Sequence, residues 1–169
     1  YPSVAMFTSV TAQRRGVLNL LWVGMVGAVI TYWMVYAFLR NVIQTQGGAP
    51  FMGQVFLACS VVFYGVAWWW HRSTLAAVAG RLAPAARMQL SDHDRLMLQN
   101  RLQASVIVCL ALLETPVVLG LVNLFVGDAA SPLFEGLATL SLIGMILLRA
   151  VGYPKVFALW TQLEPASAV

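Results

Sequence analysis

Charged side chains are scarce in this chain. They make up 9% of its 169 residues, against about 25% in an ordinary soluble domain. Hydrophobic residues reach 60% and the mean hydropathy is +0.80. A chain this short has no interior large enough to hide so much apolar surface from water. The composition excludes a water-soluble domain and makes a lipid bilayer part of the solvent. Cysteine is equally rare: Cys59 and Cys109 each sit inside an apolar run, with no CxxC pair and no Cys/His cluster. That excludes a disulfide framework, a haem-attachment motif and a zinc motif. The two histidines, His71 and His93, stand outside the apolar runs without a histidine at helical spacing. No metal and no cofactor are therefore expected. The net charge of +4 does not indicate a nucleic-acid partner, because the basic residues are spread along the chain and follow a membrane topology.

What is present is four apolar runs, at about 17–39, 51–70, 102–126 and 132–148. A spanning helix needs about 20 residues, and backbone groups in lipid must bond within their own helix. The expected fold is all-α, a single membrane domain over residues 1–169 with four transmembrane helices in two in-out-in hairpins. Short loops, "NVIQTQGGAP" at 41–50 and "GDAAS" at 127–131, close the hairpins. Gly47, Gly48 and Pro50 act as breakers in the first. The linker 71–101 is longer and polar. Inside it, "SDHDR" reads as a helix start, with Ser91 as N-cap and Asp92 and Asp94 at the positive end of the helix dipole. One helix is expected to run from Asp92 into the third span.

The arginines set the orientation. Arg14 and Arg15 precede the first span, five arginines from Arg72 to Arg101 lie in the linker, and Arg149 and Lys155 follow the fourth span. The short loops hold only Arg40 and Asp128. The positive-inside rule then places both termini and the linker in the cytoplasm. Trp68, Trp69 and Trp70 at the end of the second span read as interfacial anchors. Trp160, with "VFALW", reads as a short interfacial helix.

Glu114, midway along the third span in "LALLETPVVLGLV", is the residue that composition does not explain. A charged carboxylate at the bilayer centre costs at least ~2.5 kcal/mol. It must be protonated, or face a partner or a wet cleft. Thr139 and Ser141 lie near its depth on the fourth span and are the expected hydrogen-bond donors. Pro116 removes the N–H that the Leu112 carbonyl would accept, so a kink is expected beside the carboxylate. Gly120, Gly136 and Gly144 are expected at helix-packing faces, the last two being eight residues apart and close to one face. Gly24, Gly27, Ala28 and Ser60 add small residues to the first two spans; "GMVG" misses the GxxxG spacing.

The stretch "DRLMLQNRLQASVIVCLALLETPVVLGLVNLF" resembles the carboxylate-bearing helix of ATP synthase c-type proteolipids. Ala111, Leu112, Glu114, Gly120, Leu121 and Val122 carry the likeness. It covers about 30 of the 169 residues. The resemblance implies reversible proton binding at Glu114. The second span departs from that family: it holds only Gly53 and Gly65 and ends in three tryptophans. The overall layout is similar to small bacterial four-helix integral membrane proteins, which implies the bacterial inner membrane. No nucleophile elbow, phosphate loop or metal-ligand set appears, and the soluble segments are short, so no enzymatic activity is expected. The expected function is a non-catalytic integral subunit, with the lipid bilayer and other membrane subunits as partners. The alternative is a proton- or ion-translocating protein using Glu114.

Overall fold

The computed structural model describes residues 3–42, 50–83, 90–126 and 132–163. Residues 43–49 of the first expected loop, the loop at 127–131 and Arg87 of the linker lie outside the described residues. The described chain is helical. Helix α1 spans Ser3–Val42, α2 Pro50–Arg81, α3 Asp92–Val126 and α4 Leu133–Leu147. A π-helical turn, Leu148–Gly152, leads directly into α5, Tyr153–Leu163. Four stretches are long and apolar enough to cross a membrane, the fourth running through α4, the π turn and α5 as one 31-residue rod.

The helices outrun the apolar runs at several ends. α1 has 40 residues and is therefore about 60 Å long, well beyond a hydrocarbon core of about 30 Å. α2 does not stop at the tryptophans but continues to Arg81, so the first third of the polar linker is helix. Pro50 opens α2, where its missing N–H costs no intrahelical bond. α3 starts at Asp92 through a reciprocal cap. The Asp94 N–H donates to the Ser91 hydroxyl oxygen at 3.1 Å, and the Ser91 hydroxyl and N–H donate to the Asp94 carboxylate at 2.6 and 3.3 Å. The donors from Ser91 hold the Asp94 carboxyl below the usual carboxylate range.

"VFALW" lies in α5, which continues directly from α4 through the π turn. The wide turn before it has a reason in Pro154. In an unbroken α-helix, that proline would clash with the preceding turn and leave a carbonyl without its donor. The π turn restarts the helix at Tyr153, which puts Pro154 in a first turn, where prolines are tolerated.

α3 is the axis of the bundle and touches every other helix. In its most apolar window 44% of residues are buried, against 11% in α1 and in α2. Leu102, Val106, Cys109, Leu113 and Val117 fill its inward face. Gly120 and Gly144 set how closely α3 and α4 approach. A Cβ on Gly120 would lie 3.1 Å from the Phe134 Cα, and one on Gly144 2.9 Å from a Leu113 methyl. Gly136 does not take part in this contact. It is exposed, and a Cβ there would meet nothing within 4 Å. Eight residues at 100° each rotate by 80° from a shared face, enough to take Gly136 out of the α3 contact.

Candidate functional site

Among the described side chains of α1, Leu18, Val29 and Tyr36 are the fully buried hydrophobic ones, and Leu21, Trp22, Met25, Val26 and Leu39 pack partly buried against the core. Polar and aromatic clasps add to that packing. Tyr32, Tyr36 and Arg40 recur every four residues, so they line one face of α1. The Tyr32 hydroxyl donates to Glu114 on α3 at 3.1 Å. The Tyr36 hydroxyl and the Arg40 guanidinium each donate to Glu135 on α4 at 2.8 Å. Glu135 lies in the first turn of α4, where the helix dipole favours a negative charge. The Tyr36 ring stacks on Phe134, with centroids 4.2 Å apart. One rung of this ladder therefore has a neutral donor alone, and the next has a neutral and a cationic donor.

Glu114 is thus placed on the seam between α1 and α3, half-buried. Among the described residues, no hydrogen bond joins it to Thr139 or Ser141. The Thr139 hydroxyl is exposed and donates to the Glu135 carbonyl of its own helix at 2.7 Å. Ser141 is buried and meets the Tyr64 hydroxyl of α2 at 2.9 Å. Depth along a span put those two hydroxyls level with Glu114, but the rotation of α4 turns them elsewhere. Pro116 is buried inside a helix that continues through it. The Thr115 hydroxyl donates to the Ala111 carbonyl at 2.9 Å, one turn back. Trp68 is half-buried, while Trp69 and Trp70 are exposed on the surface of α2.

A second clasp holds the other half of α1. Arg149, in the π turn, donates to the Asn19 side chain. Its guanidinium lies 5.8 Å from the Trp22 ring and 5.1 Å from the Tyr153 ring. The Trp22 indole N–H donates to the Met145 carbonyl at 3.0 Å, and the Tyr153 hydroxyl to the Leu18 carbonyl at 3.2 Å. Nearby, His71 is buried, with Nδ1 3.0 Å from the Ser105 hydroxyl. Gly152 makes room for that ring: a Cβ there would sit 2.9 Å from Nε2. Sequence reasoning missed His71 and the tyrosine donors. The spacing of Tyr32, Tyr36 and Arg40 was the available signal for the latter.

The opposite face of α1 is exposed among the described residues. Leu20, Gly24, Gly27, Thr31, Met34 and Phe38 follow one another at intervals of four and three, and all are exposed. A Cβ added at Gly24 or Gly27 finds no atom within 4 Å. The Thr31 hydroxyl is folded back onto the Gly27 carbonyl at 2.9 Å, which leaves a shallow, flat strip flanked by larger apolar side chains. Among the described residues, no group of three histidine, cysteine, aspartate or glutamate side chains gathers as a metal site would require. No family model, curated protein or solved structure matches this chain.

Proposed function

We propose that this protein is a non-catalytic integral membrane subunit whose α1 packs against a helix of another membrane protein. The observation that carries the reading is the open strip on α1. Glycine inside a helix costs about 1 kcal/mol relative to alanine. Gly24 and Gly27 impose that cost, yet none of the described residues packs on them. Small residues between larger ones at intervals of four and three are what a close helix–helix seam uses in lipid, where packing rather than hydrophobicity drives association. The polar clasps on the inner face support the same reading, because they fix the rotation of α1 and so aim the strip outward.

The setting we propose is the bacterial inner membrane. The arginine distribution supports cytoplasmic termini and two in-out-in hairpins. Affinity purification from native membranes in mild detergent, with mass spectrometry of the eluate, tests the reading. Stoichiometric co-elution of one or a few membrane proteins is expected. Recovery of the chain alone as a stable, monodisperse monomer would overturn it.

One observation favours a second reading, proton or ion translocation. Glu114 has a single, neutral donor, the Tyr32 hydroxyl, and no cation neutralises it among the described residues. Such a carboxylate can exchange a proton without breaking an ion pair. Under this reading, Glu114→Gln abolishes proton flux in vesicles and leaves assembly intact. Unchanged flux, or absence of flux in the wild-type protein, sinks it.

A further inference from the structure

Where α2 outruns its tryptophans it lies beside α5, and a groove of about 410 Å³ runs between them. Its size falls within the range of about 300–1,000 Å³ typical of ligand sites. Arg72 and Lys155 line it, and Leu75, Ala76, Ala79, Ala158 and Leu159 give it an apolar floor. A second depression of about 580 Å³, lined by Trp68, Trp69 and Arg72, adjoins it through Arg72 and Ala76. Both cations are exposed, and neither has a carboxylate partner among the described residues. Elsewhere this chain does neutralise a cation, as Arg40 does with Glu135. Among the described residues no anion faces them, which leaves the pair open to one from outside the chain. The tryptophans fix the depth, since exposed indoles at a span end settle at the headgroup level.

We propose that this groove holds an anionic phospholipid. Its headgroup phosphate sits against Arg72 and Lys155, and one acyl chain lies along the apolar floor between α2 and α5. Charge complementarity selects the anion, and the apolar floor selects a lipid over a free phosphate. Arg72 supplies a planar fork suited to two phosphate oxygens, and Lys155 a point charge.

The test uses the full chain in vesicles of phosphatidylglycerol and phosphatidylcholine in equal amounts, with native mass spectrometry of the lipids it retains. Enrichment of phosphatidylglycerol over phosphatidylcholine by roughly tenfold or more is expected, given the usual worth of two cations near an anionic headgroup. Arg72→Gln with Lys155→Gln should bring the ratio near one. Ala79→Leu with Ala158→Leu, which fills the floor and keeps the cations, should also lower retention. Inorganic phosphate at millimolar concentration should not displace the lipid. Equal retention of the two lipids by the wild-type chain overturns the proposal, whatever the variants do. So does unchanged enrichment in the Arg72/Lys155 variant, or displacement by inorganic phosphate, which would make the groove a site for free anions.

Discussion

α3 and α1 both carry glycines inside apolar helices, and the two helices use them in opposite ways. On α3, Gly120 lets the Phe134 backbone approach until a single added methyl would lie 3.1 Å from its Cα. On α1, Gly24 and Gly27 face open space. The residue type and the intrinsic cost are the same. The difference is that the cost on α3 is offset by contact inside the chain, whereas on α1 none of the described residues offsets it. Among the described residues, α3 is enclosed by the chain's own helices, whereas one face of α1 is left uncovered.

The largest effect on the isolated chain should come from Gly120→Leu. Its Cβ meets backbone rather than the movable end of a side chain, so α3 and α4 must separate, at roughly 1–3 kcal/mol. Thermal unfolding in detergent should show it as a lowered midpoint. Gly24→Leu and Gly27→Leu make the same exchange where there is room, and each should raise helix stability by up to about 1 kcal/mol. Destabilisation of the isolated chain by the α1 pair, matching that of Gly120→Leu, would break the contrast.

The two carboxylates sharpen it at a smaller scale. Tyr32→Phe takes from Glu114 the one donor it has among the described residues, while Tyr36→Phe leaves Glu135 with Arg40. Each removes one hydrogen bond, worth about 0.5–1.5 kcal/mol. The Tyr32 change should cost more, because it leaves a half-buried acceptor unpaired. Equal losses in chemical-denaturation experiments would show that Glu114 finds water or another donor. Arg40→Gln should cost less than about 1 kcal/mol and lose its effect in high salt, since the ion pair is partly exposed.

The smallest effect belongs to the start of α3. The Asp94 carboxyl is held below its ordinary range by the Ser91 donors. A depressed value means that the cap contributes above the unfolded-state value and is lost as pH falls through the folded one. Amide exchange at residues 92–95 should quicken in acid ahead of the rest of α3. Exchange independent of pH, once corrected for the intrinsic rate, would contradict the cap.

The four long helices were legible in the sequence because apolar run length is a direct consequence of the bilayer's thickness. So was the start of α3, since Ser91 and Asp94 have the spacing of a reciprocal cap. Rotation about each helix axis was not legible. Glu114 could be assigned a depth, and so could Thr139 and Ser141, but only the packed bundle turns Tyr32 toward the carboxylate and both hydroxyls elsewhere. A rotation of under a quarter turn likewise takes Gly136 away from the contact that Gly144 makes with α3. The π turn was hidden because the residue it answers, Pro154, lies beyond the apolar run at 132–148. Apolar composition hides such faces: when nearly every side chain is hydrophobic, the helical period carries little contrast.

The most direct measurement compares affinity purifications of the wild-type chain and the Gly24→Leu/Gly27→Leu variant from the same native membranes, with the amount of co-eluting membrane protein quantified per chain. The account predicts a stoichiometric partner with the wild type and its loss with the variant, both chains being equally folded. A partner retained in full by the variant would contradict it.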